Sequence, residues 1–211
     1  MRKTTQIALG VLVSGLLITG LAAPAQAGEG FFEVFGGVTL IGGDVDLPCE
    51  RIVCIPEGGG GNIPDVKADF DDDTPTFGFA GGYRKSEKLG FKASLSWIDG
   101  DDTFGAPFEG SPIEIDVFFI DLSVMYYPWG KRFYVYGGPG IADVEARATV
   151  DGVDYDRGDN TGSVHVGMGS QIDFGSNAYF RFQSKVRMVD SDVYDDIDLE
   201  PSIGIGWKWG G

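Results

Sequence analysis

The chain has 211 residues, of which 34 are glycine, and its formal net charge is −16. An acidic chain repels the phosphate backbone of nucleic acids, so we expect no nucleic-acid partner. The many glycines weaken helices and suit sheet positions where neighbouring groups crowd together, and the length fits one domain.

The N-terminus has the pattern of a processing signal. Basic residues precede an apolar run at 7–21, and Ala25-Gln26-Ala27 supplies the small-x-small pattern of a cleavage site. These features predict a signal peptide at 1–27 and a mature domain at 28–211. A single membrane anchor is the alternative, and the shortness of the apolar run argues against it.

Cys49 and Cys54 are the only cysteines, and they lie close together in a polar, glycine-rich segment. An exported chain meets an oxidising compartment, so we predict a disulfide between them. Two free thiols are the alternative. A metal site is less favoured because no histidine or third cysteine is near.

Eight stretches alternate between apolar and small or polar residues, with the period of two that a strand requires. In chain order they are residues 31–41, 76–84, 90–98, 114–127, 132–142, 161–172, 178–188 and 202–209. Pro139 interrupts the fifth stretch, and we expect a local irregularity there because proline lacks a ladder donor.

The connections between these strands alternate strictly between short and long. Three are short turns, and the long ones cover residues 42–75, 99–112, 143–160 and 189–200. This alternation puts every long loop at one end, as in an up-and-down antiparallel barrel, and each strand is near the length that crosses a bilayer at a tilt.

The aromatic residues of the predicted strands share one face. They are too bulky and numerous for the interior of eight strands, so we predict that they contact lipid. A soluble lipocalin-like barrel, with aromatics inside and charges outside, is the alternative. The predicted lipid-facing aromatics are Phe91, Trp97, Phe118, Phe133, Phe180, Phe182, Trp207 and Trp209.

The opposite face combines small residues with charged ones and is predicted to line the lumen. Its charge network consists of Glu33, Lys92, Asp121, Arg181, Lys185 and Arg187. Two acids for four bases predict a cationic surplus. We expect a plug of paired charges, since eight strands leave room only for side chains, and a narrow channel for small solutes is the alternative.

The signal sequence, the eight strands and the glycine-rich pieces at 77–83 and 136–140 resemble the small outer-membrane β-barrel superfamily. That superfamily includes the transmembrane domain of outer-membrane protein A and the outer-membrane protein X type. The resemblance implies an all-β fold, an eight-stranded antiparallel up-and-down transmembrane β-barrel in the bacterial outer membrane. It also implies contact with outer-membrane lipid and lipopolysaccharide, insertion by the barrel-assembly machinery, a monomer and no cofactor.

The four predicted loops carry seven, four, four and six net negative charges, 21 in all. We therefore expect a structural or surface-interaction role, with the acidic loops outside the cell. The simpler explanation of these acids is the solubility of exposed loops. Loop-bound divalent cations are a further hypothesis, because hard cations prefer oxygen ligands, although no calcium-loop spacing is present. The candidate ligands are Asp71, Asp72, Asp73, Asp101, Asp102, Asp195 and Asp196.

Catalysis is the remaining class of function, because some small outer-membrane barrels modify lipid A. Ser163 and His165 share a strand face and could pair a nucleophile with a base. The lipid A deacylases have a His-x-Ser order on a lipid-accessible face, whereas here the order is reversed and the face is predicted to be lumenal. We therefore do not expect an enzyme.

Overall fold

The computed structural model describes residues 28–40, 44–47, 66–69, 73–103, 112–150, 153–190 and 195–210. Ten β-strands account for most of them. They are β1 (Glu29–Leu40), β2 (Asp44–Leu47), β3 (Val66–Asp69), β4 (Asp73–Arg84), β5 (Leu89–Thr103), β6 (Pro112–Tyr126), β7 (Phe133–Val150), β8 (Val153–Phe174), β9 (Ala178–Asp190) and β10 (Asp195–Trp209). Within these ranges no helix is long and apolar enough to cross a membrane.

Eight of the strands form a closed antiparallel barrel. The order is β1, then β4 to β10 in sequence, and β10 pairs back with β1. The short strands β2 and β3 form a hairpin that joins the barrel through the pairing of Asp195 with Asp44. The prediction of an eight-stranded up-and-down barrel is thus confirmed.

Three short connections lie at one end of the barrel, which we call the turn end; the opposite end is the loop end. Gly130 and Gly175 adopt positive φ angles of 83° and 71° in two of these turns, a conformation that costs glycine little. In the third turn the Ser86 hydroxyl accepts hydrogen bonds from the backbone N–H groups of Lys88 and Leu89. Both ends of the described chain, Gly28 and Gly210, also lie at the turn end.

The prediction of long loops was wrong for much of their length. β7 and β8 stay paired up to Val150 and Val153, so 143–160 is mostly a strand extension. β5 and β6 likewise pair as far as Thr103 and Pro112. The acidic composition suggested loops, but the period of two continues: Val144 and Ala146 remain buried inside the extended barrel.

The strands are staggered around the barrel. A path that starts on β7 and moves from each residue to its partner on the next strand passes through all eight strands. It returns to β7 ten residues beyond its starting point. The path runs through Phe133, Ser170, Phe182, Ile203, Gly36, Phe77, Trp97, Phe118 and Asp143. With a strand separation of about 4.8 Å and a rise of about 3.3 Å per residue, this stagger corresponds to a strand tilt of roughly 40°.

Two prolines coincide with gaps in the ladders. Between the pairs Asp121–Gly140 and Val124–Gly137 the β6–β7 ladder has no partners, and Pro139 lies in that gap. The expected irregularity at Pro139 is therefore confirmed. The β1–β10 ladder has a similar gap next to Pro201, a residue that lies just before the predicted strand at 202–209.

Candidate functional site in the barrel lumen

The outer surface of the barrel is apolar on every strand, and this surface determines what surrounds the lumen. Large exposed side chains include Phe79 on β4, Leu122 on β6 and Ile205 on β10. An apolar surface that encircles a whole protein is far larger than the patches of soluble monomers. The predicted lipid-facing aromatics all lie on this side: Phe91, Phe180, Phe182 and Trp207 are exposed, and Trp97, Phe118, Phe133 and Trp209 are half-buried.

The apolar band ends in acidic residues towards the loop end. Asp99, Asp116 and Asp143 are the first charged residues on the outer face of β5, β6 and β7. The ten residues from Phe133 to Asp143 on β7 rise about 25 Å along the barrel axis at a tilt of roughly 40°. That height matches the outward apolar band of outer-membrane barrels, which is also about 25 Å.

The centre of the lumen holds a cluster of ion pairs. The carboxylate of Asp121 on β6 lies 2.8 Å from the Arg187 guanidinium and 3.1 Å from the Lys185 ammonium, both on β9. Glu200 on β10 lies 2.9 Å from Lys185 and 3.4 Å from Arg187. All four side chains are buried, so each charge has its counter-ion within the barrel. We call these four residues the central cluster.

The strand register explains this arrangement. Lys185 is paired with Glu200 across the β9–β10 ladder, and Arg187 is paired with Asp198. Opposite charges that face each other on one side of a sheet attract, and both pairs project into the barrel. Asp121 reaches the same cations from β6, on the far side of the lumen, so the side chains span the space between the walls.

The predicted cationic surplus of the lumen was wrong. Asp198 and Glu200 lie in the predicted loop 189–200, yet both are buried on the inner face of β10. With Glu33 and Asp121 they supply four buried acids against Lys92, Arg181, Lys185 and Arg187. The exposed, apolar Ile197 and Leu199 alternate with these acids, and this period of two was the signal that could have revealed them.

A second ion pair lies nearer the turn end. The Arg181 guanidinium is 2.6 Å from the Glu33 carboxylate and donates to the Gln171 side-chain oxygen at 3.1 Å. The same guanidinium lies over the rings of Phe31 and Tyr179, at 4.6 Å and 4.8 Å from their centroids. Aromatic faces attract a desolvated cation, so this arginine is held from several sides.

Lys92 occupies the level between the two ion-pair sites. Its ammonium donates to the Gln183 side-chain oxygen at 3.1 Å and lies 4.0 Å from the centre of the Tyr136 ring. The contacts of Lys92 are therefore a neutral amide and an aromatic face, in contrast to the carboxylates that bind Lys185. All six predicted residues of the lumen network are buried inside the barrel.

Apolar and aromatic layers lie above and below the central cluster. Towards the turn end, a buried cluster is formed by Phe31, Met125, Tyr127, Tyr134, Tyr136 and Tyr179. Towards the loop end the inner face carries Ile98, Ile115, Val117, Phe119, Val144 and Val189, all buried. The Phe119 ring lies 3.4 Å from the Arg187 guanidinium, and so the upper layer rests directly on the central cluster.

His165 lies beside the central cluster, and its partner is not the one that the sequence suggested. The Ser123 hydroxyl is 2.8 Å from His165 Nε2, and Nδ1 is 3.6 Å from Asp121. Ser163 shares the face of His165 but lies two residues along the same strand. These side chains are all buried inside the barrel.

Several predicted sites lie outside the described residues. They are the signal peptide at 1–27, Cys49, Cys54, Asp71 and Asp72. The backbones of Asp73, Asp101, Asp102, Asp195 and Asp196 lie in barrel strands rather than loops. Among the side chains that the structure describes, no group of three or more histidines, cysteines or acids is placed to hold a metal ion, and cation binding by these acids stays a prediction.

Comparison with solved structures supports the same architecture. The chain is similar to Ail, the attachment invasion locus protein of Yersinia pestis, with 12% identity and a TM-score of 0.56 over 87% of this chain and 100% of that one. It is also similar to Neisserial surface protein A, with 11% identity and a TM-score of 0.51 over 87% of this chain and 100% of that one. A third similar structure is the outer membrane protein OprG from Pseudomonas aeruginosa, with 16% identity and a TM-score of 0.51 over 86% of this chain and 97% of that one.

A search of curated protein sequences found no match. A family model does match, and it describes the outer membrane protein beta-barrel domain; the match extends over residues 13–208. Together with the closed barrel, its lipid-facing surface and the similar solved structures, this match gives the family of the chain and its location in the cell. The chain belongs to the outer membrane protein beta-barrel domain family and lies in the bacterial outer membrane.

Proposed function

We propose that this protein is a closed outer-membrane barrel with a structural or surface-interaction role, which it performs with its acidic loop end. The observation that carries this proposal is the filled lumen, in which the central cluster lies between two layers of buried apolar and aromatic side chains. A transport role would need a continuous aqueous path through these layers. The proposal includes insertion by the barrel-assembly machinery and function as a monomer.

Opening a path through the central cluster would be costly. Arg187 and Lys185 would have to leave Asp121 and Glu200, and separating a buried ion pair costs about 3–5 kcal/mol when a charge stays buried without a partner. The layers that contain Phe119 and Tyr134 would also have to move, because they lie on either side of the central cluster. These combined costs favour a closed barrel over a narrow channel.

The surface role rests on the outward charges above the apolar band. Glu114, Asp116 and Glu145 face outward near the loop end, and Arg147 binds the latter two at 3.2 Å and 2.8 Å. A surface with this excess of acids attracts cationic groups, and it can approach anionic lipopolysaccharide when divalent cations bridge the two. Both kinds of partner belong to this proposal.

Conductance measurements test the closed lumen. We expect the wild-type protein, folded and inserted into planar lipid bilayers, to give no current steps of the size that a general porin gives. A gel-mobility shift on heating the same sample shows that the inserted protein is folded. Steady porin-like conductance from the folded sample would overturn the closed-barrel proposal and favour the narrow channel.

Binding measurements test the surface role. A variant with Glu114→Gln, Asp116→Asn and Glu145→Gln should bind purified lipopolysaccharide more weakly than wild type in the presence of magnesium. Glu87→Gln removes one acid from an exposed turn at the opposite end of the barrel and serves as the control. Unchanged, magnesium-independent binding by the triple variant would contradict the proposed role of these acids.

An enzymatic role is not part of the proposal. The Ser163–His165 pair suggested by the sequence is separated from lipid by the barrel wall, and His165 bonds Ser123 instead. If His165→Ala leaves the lipid A of the producing cells unchanged, that result agrees with the proposal. A lost lipid A modification that the wild-type gene restores would contradict it.

A further inference from the structure

A groove of about 630 Å³ crosses the outer surface of β7, β8, β9, β10 and β1. Phe133, Phe182 and Ile203 are among the larger residues that line it, and Gly36, Ser184 and Pro201 are among the smaller ones. Since small side chains project less from a sheet than their neighbours, the second group forms the floor and the first group the walls. The groove is a depression within the lipid-facing band.

The strand register brings the small residues together. Ser184 on β9 is paired with Pro201 on β10, and Gly36 on β1 is paired with Ile203 on β10. The gap in the β1–β10 ladder adjoins Pro201, so the backbone is irregular at the same place. Three strands therefore present small outward residues at one part of the surface.

The stagger of the barrel determines where the groove lies along the membrane normal. At a strand tilt of roughly 40°, each step from one strand to the next along the register rises by about 3 Å. Gly36 is four steps from Phe133, and so it lies roughly 12 Å higher along the barrel axis. A hydrocarbon core of about 30 Å gives each leaflet about 15 Å, so the groove extends from the turn-end boundary to the middle of the membrane.

We propose that this groove holds one acyl chain of a phospholipid from the periplasmic leaflet. Short turns of outer-membrane barrels face the periplasm, so the groove opens at the headgroup level of that leaflet and ends near its terminal methyl groups. It is continuous with the lipid-facing surface of the barrel, and its walls are apolar and aromatic. A chain in the groove contacts protein on its sides as well as beneath it.

The test fills the groove without disturbing the barrel. A Cβ atom added at Gly36 meets nothing nearer than the Thr76 carbonyl oxygen at 3.7 Å, so Gly36→Leu places its side chain in the groove without a backbone clash. Ser184→Leu fills the floor from a second strand. The control is Gly162→Leu, a lipid-facing glycine outside the groove with no atom within 4 Å of an added Cβ.

Native mass spectrometry of the full, folded protein, titrated with palmitoyl-oleoyl phosphatidylethanolamine in detergent micelles, counts the bound lipids. We expect one tightly bound phospholipid on wild type and Gly162→Leu. Binding should be severalfold weaker in Gly36→Leu and Ser184→Leu, because each leucine displaces part of the acyl chain from van der Waals contact with the groove.

Three outcomes would overturn the proposal. The first is equal binding by all four proteins. The second is displacement of the phospholipid by lipopolysaccharide, which would assign the groove to the outer leaflet. The third is an efficient disulfide cross-link between two copies of Ser184→Cys in membranes, which would assign the groove to a second copy of this chain.

Discussion

Arg187 and Met188 are neighbours on β9, yet they lie in opposite surroundings. Arg187 has no exposed surface and is bound to Asp121 and Glu200 inside the barrel, whereas 58% of the Met188 side chain is exposed on the outer face. The same contrast recurs along the strand, with Lys185 inside and Val186 outside. In a water-soluble barrel the two faces would be reversed, since water would surround the charges.

The comparison shows how this barrel keeps charges inside a membrane. Each inward charge is cut off from water by the filled lumen and needs a protein partner, whereas each outward residue faces lipid and needs only to be apolar. The stability of the interior therefore depends on specific ion pairs, whereas the stability of the outer face in lipid depends only on its apolar composition. Substitutions on the two faces should differ accordingly.

The largest effect is expected at Asp121. Asp121→Ala removes the carboxylate that binds both Arg187 and Lys185 while the two cations stay buried, and the free energy of unfolding should fall by about 3–5 kcal/mol. Urea titration of the barrel in lipid vesicles, followed by tryptophan fluorescence, measures this change. Asp116→Ala removes an exposed acid from the same strand, so it is the control and should cost no more than about 1 kcal/mol. Equal losses of unfolding free energy in the two variants would contradict the difference between the inner and outer faces.

The Glu33–Arg181 pair should show a similar dependence on its partner. Glu33→Leu alone leaves the guanidinium buried without its carboxylate and should cost about 3 kcal/mol. The double variant Glu33→Leu with Arg181→Met removes both charges and should be more stable than the single variant. The same urea titration measures both variants, and a double variant that is no more stable than Glu33→Leu would contradict this expectation.

On the outer face the effect depends on depth. Leu95 on β5 is paired with Phe79 and Ile120 near the middle of the band, and Leu95→Arg should lower the free energy of unfolding by about 2–4 kcal/mol. Asp99→Arg, four residues along the same face at the boundary, should cost no more than about 1 kcal/mol. Similar values at both depths would argue against the membrane boundary drawn through Asp99.

The smallest effect is expected at Lys92, although this residue is buried like the others. Its partners are the Gln183 amide and the Tyr136 ring, so Lys92→Met removes a desolvated charge without leaving an unpaired carboxylate. The change in stability should stay within about 1 kcal/mol and could be favourable. Lys185→Met is the matched control and should cost at least about 3 kcal/mol, because Asp121 and Glu200 lose a shared partner.

Much of the barrel could be predicted from alternation alone. The outward position of Phe180 and Phe182 and the inward position of Arg181 follow from a period of two, and the strand count follows from the turns. The strand ends could not be predicted in this way, because acidic residues at 143–160 and 189–200 suggested loops. The acidic composition favoured loops, although apolar and polar residues continue to alternate in these segments. Asp198 and Glu200 were therefore missed as lumenal acids.

Contacts between strands that are distant in the chain needed the three-dimensional structure. The Ser123–His165 bond joins β6 to β8, and the central cluster joins β6 to β9 across the lumen. Both contacts depend on the register between neighbouring strands, and the sequence of a single strand does not determine that register. The groove at Gly36, Ser184 and Pro201 depends on the same shift.

The pairing of β1 with β10 also constrains how the protein can form. Phe32 and Trp207 are partners near opposite ends of the chain, so the wall cannot close until the last strand has been made. Before that moment β1 and β9 would each have an unpaired edge, and exposed backbone donors and acceptors are very unfavourable in hydrocarbon. Insertion and closure of the barrel therefore have to occur together, once β10 is available to pair with β1.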